Sequence, residues 1–248
     1  MSLRAGIVNT LLKGLFTLQT MGRDDEFVYE KGGASFHCRK KTSDRFVVNE
    51  IFSTTYPVDI TESSVVVDAG ANIGAFTVYA AMIAKQGRVC VFEPDPTNHA
   101  QLKKNVELNK LENVTLFQDA LAARNETREL FLSKRNKGAS SMFHGGGKSH
   151  QINCVAFGDV FEHCGIDHID VLKVDVEGAE YEILFSGSDE VFKRIDQITL
   201  EFHDFLGLPH RYPDLVAFLK DKGYTVTHCS SWLYRKVLRQ GVIVARRV

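Results

Sequence analysis

No two cysteines form a C-x-x-C pair, and the five present (Cys38, Cys90, Cys154, Cys164 and Cys229) are scattered and odd in number. That excludes a zinc ribbon and a thioredoxin-like redox site and leaves thiols of the kind kept reduced inside cells, so the expected compartment is the cytoplasm. No uninterrupted apolar run approaches the length of a membrane span. Excess charge is missing too. Thirty Lys and Arg against thirty-one Asp and Glu leave a net charge of −1, which argues against a general nucleic-acid binder. There is no internal repeat, no G-x-x-x-x-G-K-[ST] phosphate loop and no G-x-G-x-x-G dinucleotide fingerprint. What remains is a 248-residue chain with an ordinary soluble composition, long enough to bury a core without disulfides or metal.

Residues 1–60 are expected to form an N-terminal extension packed on a main domain of residues 61–248. In the first 21 residues, Leu3, Ile7, Leu11, Leu15 and Leu18 recur at helical spacing. Lys13 interrupts the run and no small-residue cleavage site follows, which argues against a signal peptide. A helix docked on the domain is the first reading, and an amphipathic membrane-surface helix the second. Phe27–Lys40 alternates on both sides of Gly32-Gly33, as a hairpin does. Ser43 or Asp44 caps a short helix that ends before Pro57.

From Val65 onward strand and helix signals alternate. The runs Val65–Val67, Val89–Phe92 and Val171–Val174 are apolar and rich in β-branched residues. Strands covered on both faces read this way. The expected fold is therefore α/β: a mostly parallel sheet with helices on both faces, closed by a last, antiparallel strand at "VIVARR". "ELFLSK" and "QINCVAF" are two further strands. Between them, residues 135–150 are a Gly-, Ser- and Lys-rich loop, either a surface connection or a substrate lid.

The ligand is read from strand ends, where open α/β sheets bind. "VVVDAGANIGAFT" runs a strand through a glycine turn into a helix, with Asp68, Gly70, Asn72 and Gly74 at the turn. The turn aims backbone N–H groups at a carboxylate rather than a diphosphate, and Asp68 favours a positive group. Glu93 ends the next strand, 25 residues on, where a carboxylate accepts both ribose hydroxyls. Asp119 ends the third and is placed for the amino group of adenine. An amino-acid end, a ribose and an adenine across successive strand tips describe S-adenosylmethionine, with S-adenosylhomocysteine as the demethylated product.

For chemistry, "LKVDVEGAE" offers Lys173, Asp175 and Glu177 at period two, on one face of an extended strand. Glu180 follows on a helix, and "LEFHD" adds Glu201 and His203. His203 is the expected general base, oriented by Asp175 or Glu201, with Asp175 the second choice of base. Lys173 and Glu180 also suit structural ion pairs. Asp175, Glu201 and His203 have donor types that a divalent metal accepts, although the reading requires none. His210 and Tyr212 read as ordinary loop residues beyond them.

The segments "VVDAGANIGAFT", "VFEPDP", "LKKNVELNKLENVTLFQDAL" and "IDVLKVDVEGAEYEIL" resemble the FkbM-type methyltransferases, from roughly Asn49 to Asp204. K-x-D-V-E-G-A-E is the most specific of these. The resemblance implies a Rossmann-like class I methyltransferase with a seven-stranded sheet. By position it implies Asp68, Gly70, Asn72 and Gly74 in the cofactor turn, Glu93 on the ribose and Asp119 on the adenine. No Asp/Asn-Pro-Pro-aromatic run and no Pro-Cys nucleophile follows the fourth strand, where Asp175-Val176-Glu177-Gly178 stands instead. The implied reaction is O-methylation of a small molecule or a sugar or glycan hydroxyl. Nucleic-acid methylation, through Lys134, Arg135, Lys137 and Lys148, is the second reading. A non-catalytic cofactor-binding module is the third.

Overall fold

The computed structural model describes residues 25–52, 58–132, 140–141, 149–204, 209–229 and 240–248. The expected helix in the first 21 residues lies outside these, as does most of the 135–150 loop.

The hairpin forms as β1 (Glu26–Lys31) and β2 (Ala34–Arg39), paired antiparallel across Gly32-Gly33. The free edge of β2 is satisfied by amide side chains rather than by a strand. Asn105 Oδ1 and Asn109 Oδ1 accept from the N–H of His37 and Ser35, and Gln101 Nε2 and Asn109 Nδ2 donate to the carbonyls of His37 and Ser35. A buried strand edge needs such partners. The short helix α1 (Asp44–Glu50) follows. Ser43 precedes it without a capping bond; the Thr42 hydroxyl accepts from Asp44 N instead.

The alternating segment builds β3 (Val65–Ala69), α2 (Ala75–Ile83), β4 (Arg88–Phe92), α3 (Pro96–Leu108) and β5 (Val114–Phe117). Helix α3 starts where Asp95 accepts from the N–H of Thr97 and Asn98 behind Pro96, a strong N-terminal signal. After it come β6 (Ala120–Ala122), β7 (Glu126–Leu132), β8 (Ser140–Ser141) and β9 (Ser149–Ala156). The chain then runs through α4 (Val160–Cys164), β10 (Ile169–Val174), α5 (Glu180–Ser186), α6 (Asp189–Phe192) and β11 (Ile195–His203). It closes with α7 (Tyr212–Asp221), β12 (Tyr224–His228) and β13 (Gln240–Arg247).

Seven of these strands form one sheet in the order β12-β13-β11-β10-β3-β4-β5. β11, β10, β3, β4 and β5 are parallel, and β13 inserts antiparallel between β11 and β12. The sheet is thus the mostly parallel, seven-stranded one expected, with the last strand reversed. One core on each face covers it: Phe157, Leu172, Ile183 and Phe202 on one side, Phe36, Ile73, Phe76 and Leu102 on the other. Each of these side chains is essentially inaccessible, and burying one stabilises the fold by about 1.5–3 kcal/mol. Strand order reverses between β3 and β10, and this switch point opens a crevice at their carboxyl ends. A second sheet, β6-β9-β7-β8, stands beside that crevice. Among the described residues, no helix is long and apolar enough to cross a membrane.

Candidate active site

A cleft of about 640 Å³, open mouth included, lies over the switch point. Its walls are the β3 turn (Gly70, Asn72), the end of β4 (Phe92, Glu93, Pro94), Asn98 of α3, and the turn after β10 (Asp175, Val176, Glu177). Ala120, Leu121 and Leu130 of the second sheet supply an apolar wall.

The turn is held from below. Gly70 has φ +81, and a Cβ there would sit 1.8 Å from the Asp175 carbonyl oxygen. Only glycine lets β3 and β10 end this close. Asn72 follows at φ +54, also left-handed, and donates its N–H to Glu93 Oε2 at 2.7 Å. Gly70→Ala is expected to abolish measurable S-adenosylhomocysteine binding and to lower the melting temperature. The left-handed conformation alone costs an alanine ~1–2 kcal/mol, before the overlap. Calorimetric titration and a melting curve read both effects; near-normal binding would contradict this packing.

Asp68 and Lys173 do not border the cleft. Asp68 is sealed, with Oδ2 accepting from Thr77 Oγ1 at 2.6 Å and Oδ1 3.0 Å from Lys173 Nζ. Lys173 Nζ also donates to the Gly70 carbonyl at 2.8 Å and lies 3.9 Å from Asp175 Oδ2. The positive group that Asp68 meets is therefore inside the chain. Burial pushes the Lys173 ammonium towards neutrality, but Asp68 and Asp175 outweigh it and raise its pKa. The pair fastens β10 to the turn after β3.

Glu93 is 5% exposed, with Oε1 and Oε2 accepting from the N–H of Asp95 and Asn72. Burial still pushes its pKa up to about 8, against the two hydrogen bonds. A buried carboxyl in this state is completed by further donors, and two ribose hydroxyls are such donors. Asp119 is not on the cleft wall; its carboxylate lies 3.5 Å from His163 Nε2, and Ala120 and Leu121 after it line the cleft instead. Gly74, at φ +85, packs helix against helix, since a Cβ there would meet Leu102. The buried Glu93 carboxyl, the glycine turn and the apolar wall suit an adenosyl group with an amino-acid end.

The second cluster sits where β10 and β11 end. The strand does not stay extended as the period-two reading requires. β10 stops at Val174, and Glu177 (φ +52) and Gly178 (φ +113) turn the chain into α5. Asp175 and Glu177 face the cleft, while His203 is 6% exposed behind them. The orienting partner of His203 is neither Asp175 nor Glu201. Glu180 Oε1 lies 2.8 Å from His203 Nδ1 and also accepts from the N–H of Val176 and Gly178. A carboxylate only accepts, so Nδ1 carries the proton and Nε2 faces Glu177, 3.7 Å away. Burial alone lowers the His203 pKa, but Glu180, Glu177 and Glu201 outweigh it and hold it well above 6.5. Glu201 does not line the cleft; burial and Asp175 push its carboxyl up to about 8. Asp175, Glu180 and His203 each bring one ligand-type atom within 4.8 Å of the others. His210 packs edge-on against Phe185, and the Tyr212 hydroxyl meets His228, both away from the cleft.

Comparison with known proteins gives the family. The sequence profile described as "Methyltransferase FkbM domain" matches residues 68–226. The chain is 28% identical over 228 residues to Methyltransferase sdnD of Sordaria araneosa, covering 78% of this chain and 86% of that one. It is 28% identical over 216 residues to 31-O-demethyl-FK506 methyltransferase FkbM of Streptomyces tacrolimicus, covering 73% and 82%. It superposes on the crystal structure of Methyltransferase FkbM from Methylobacillus flagellatus KT with a TM-score of 0.52. That likeness, at 15% identity over 80% of this chain and 47% of that one, is one of fold. With a seven-stranded class I sheet and a family match across most of it, the chain belongs to the FkbM methyltransferases, which use S-adenosylmethionine.

Proposed function

We propose that this methyltransferase transfers the methyl group to a hydroxyl oxygen of a small molecule or a sugar, with His203 as the general base. The observation that carries this reading is the Glu180–His203 pair behind the Asp175–Glu177 wall. It places an imidazole directly behind the wall that an acceptor in the cleft would touch, and no cysteine is among the residues lining that cleft. One relative is named for action on 31-O-demethyl-FK506, an oxygen acceptor, in line with this choice.

Bound in the cleft, S-adenosylmethionine supplies an electrophilic methyl group on a positively charged sulfur. In this reading the residues of the chain do the rest. Glu93 takes the ribose hydroxyls, the β3 turn presents N–H groups to the carboxylate, and Leu121 and Leu130 exclude water beside the adenine. Asp175 receives the acceptor hydroxyl at the switch point. Neutral His203 takes its proton on Nε2, and Glu180 stabilises the imidazolium through Nδ1–H. Aligning the acceptor contributes ~7–11 kcal/mol of the barrier reduction.

The test is incubation of the protein with methyl-labelled cofactor and a panel of hydroxyl compounds, sugars and RNA. Label on an oxygen supports the proposal; label only on RNA bases or amines rejects it. In this reading the proton passes to His203, held by Glu180 through Nδ1, and the step is drawn without a metal. Exhaustive chelation with EDTA is therefore expected to leave the rate within about twofold. Loss restored by Mg²⁺ or Mn²⁺ would instead assign Asp175, Glu180 and His203 to a metal.

A further inference from the structure

Arg39 ends β2, and its side chain is only 13% exposed. Its Nε and Nη2 donate to Asp44 Oδ2 and Oδ1 at 2.8 and 2.9 Å. Nη2 also donates to Asn98 Oδ1, again at 2.9 Å. Asn98 lies in the first turn of α3, is 3% exposed, and lines the cleft beside Glu93 and Pro94. A guanidinium only donates, so the atom facing Arg39 must be the amide oxygen. That fixes the direction of the amide. Its Nδ2, with two N–H donors, is turned away from Arg39 and has no partner among the described residues. Asn98 lines the cleft, so these donors are open to an acceptor atom bound there.

We propose that Asn98 is a cofactor-binding residue whose Nδ2 donates to an acceptor atom of the adenosine moiety, and that Arg39 of the hairpin holds the amide in the donating orientation. The inference rests on the cleft being the S-adenosylmethionine site. It gives the N-terminal hairpin a function, since β2 is fastened to α3 and delivers Arg39 to the cofactor wall. Asn98 touches the ligand; Arg39 is a positioning residue that acts through it.

The sharpest variant is Asn98→Asp, which keeps an oxygen for Arg39 but replaces the donating group by an acceptor of the same shape. Asn98→Ala controls for the added charge. Binding is read by calorimetry with S-adenosylhomocysteine and with 5′-methylthioadenosine, which keeps the adenosine but lacks the amino-acid end. Melting curves accompany each titration. Both variants are expected to stay folded and to bind both ligands about tenfold or more weaker, by a common factor. Arg39→Lys, which keeps a charge for Asp44 but loses the planar fork, is expected to show a smaller loss of the same kind. Binding within about threefold of wild type by either folded Asn98 variant overturns the proposal. So does a loss confined to S-adenosylhomocysteine, because the contact would then lie on the amino-acid end. If the unaltered protein binds neither ligand, the cofactor reading itself fails, which is a separate result.

Discussion

His203→Gln is expected to lower kcat by about 10²–10⁴-fold while leaving S-adenosylhomocysteine affinity unchanged. Glutamine keeps a donor for Glu180, so the buried carboxylate is not stranded, whereas an alanine would leave it without its partner. The pH profile carries the second half of this expectation. His203 works as a base only when neutral, and its acidic neighbours hold its pKa well above 6.5. The rate should therefore keep climbing with pH beyond the point where an ordinary histidine has lost its proton. In the glutamine variant that ascending limb should vanish. Asp175→Asn discriminates between the two candidate bases. If it removes the pH limb and His203→Gln does not, Asp175 is the base and the histidine is structural. If neither variant slows transfer by tenfold, no base in this cluster acts.

The largest effect on stability is expected from Lys173→Met. The substitution keeps the length of the side chain but leaves Asp68 buried without its ammonium partner at 3.0 Å, and frees the Gly70 carbonyl as well. Removing one member of a buried ion pair costs about 3–5 kcal/mol, a large share of the net stability of a domain. Urea unfolding should show that loss as a lower midpoint. The double variant Asp68→Asn with Lys173→Met should recover much of it, because no unpaired charge remains. A single variant within about 1 kcal/mol of wild type would mean that the pair is not what fastens β10 to the turn after β3.

These two residues also show where the sequence is legible and where it is not. The sheet is readable because Val66–Val67, Val89–Phe92 and Val171–Val174 are buried on both faces, and burial of that kind leaves an apolar, β-branched run. The turn after β3 is readable because Gly70 tolerates no side chain. Asp68 and Lys173 are different. An acid that meets a ligand and an acid that meets a lysine 105 positions later look alike until the strands are paired. Glu180 is hidden for a similar reason. At the start of a helix it suits the helix dipole, and only the turn at Glu177 and Gly178 swings it under His203. That same left-handed turn breaks the period-two pattern that would align Lys173, Asp175 and Glu177. The second sheet is half legible: β7 and β9 are the strands readable at "ELFLSK" and "QINCVAF", but the alternating pattern shows neither their pairing nor β6. β6 has three residues, and its partner β9 begins at Ser149, beyond the long Gly- and Ser-rich loop. Its contribution of Ala120, Leu121 and Leu130 to the cleft is a product of tertiary packing alone.

A crystal structure of the protein grown with S-adenosylhomocysteine would decide most directly whether this cleft is the methyl-transfer site. The adenosine should lie between Glu93 with Asn98 and the Leu121 wall, with the sulfur turned towards Asp175 and the amino-acid end on the Gly70 turn. Density for the nucleoside anywhere else, or a sulfur turned away from Asp175 and His203, would contradict the assignment of both cofactor and base.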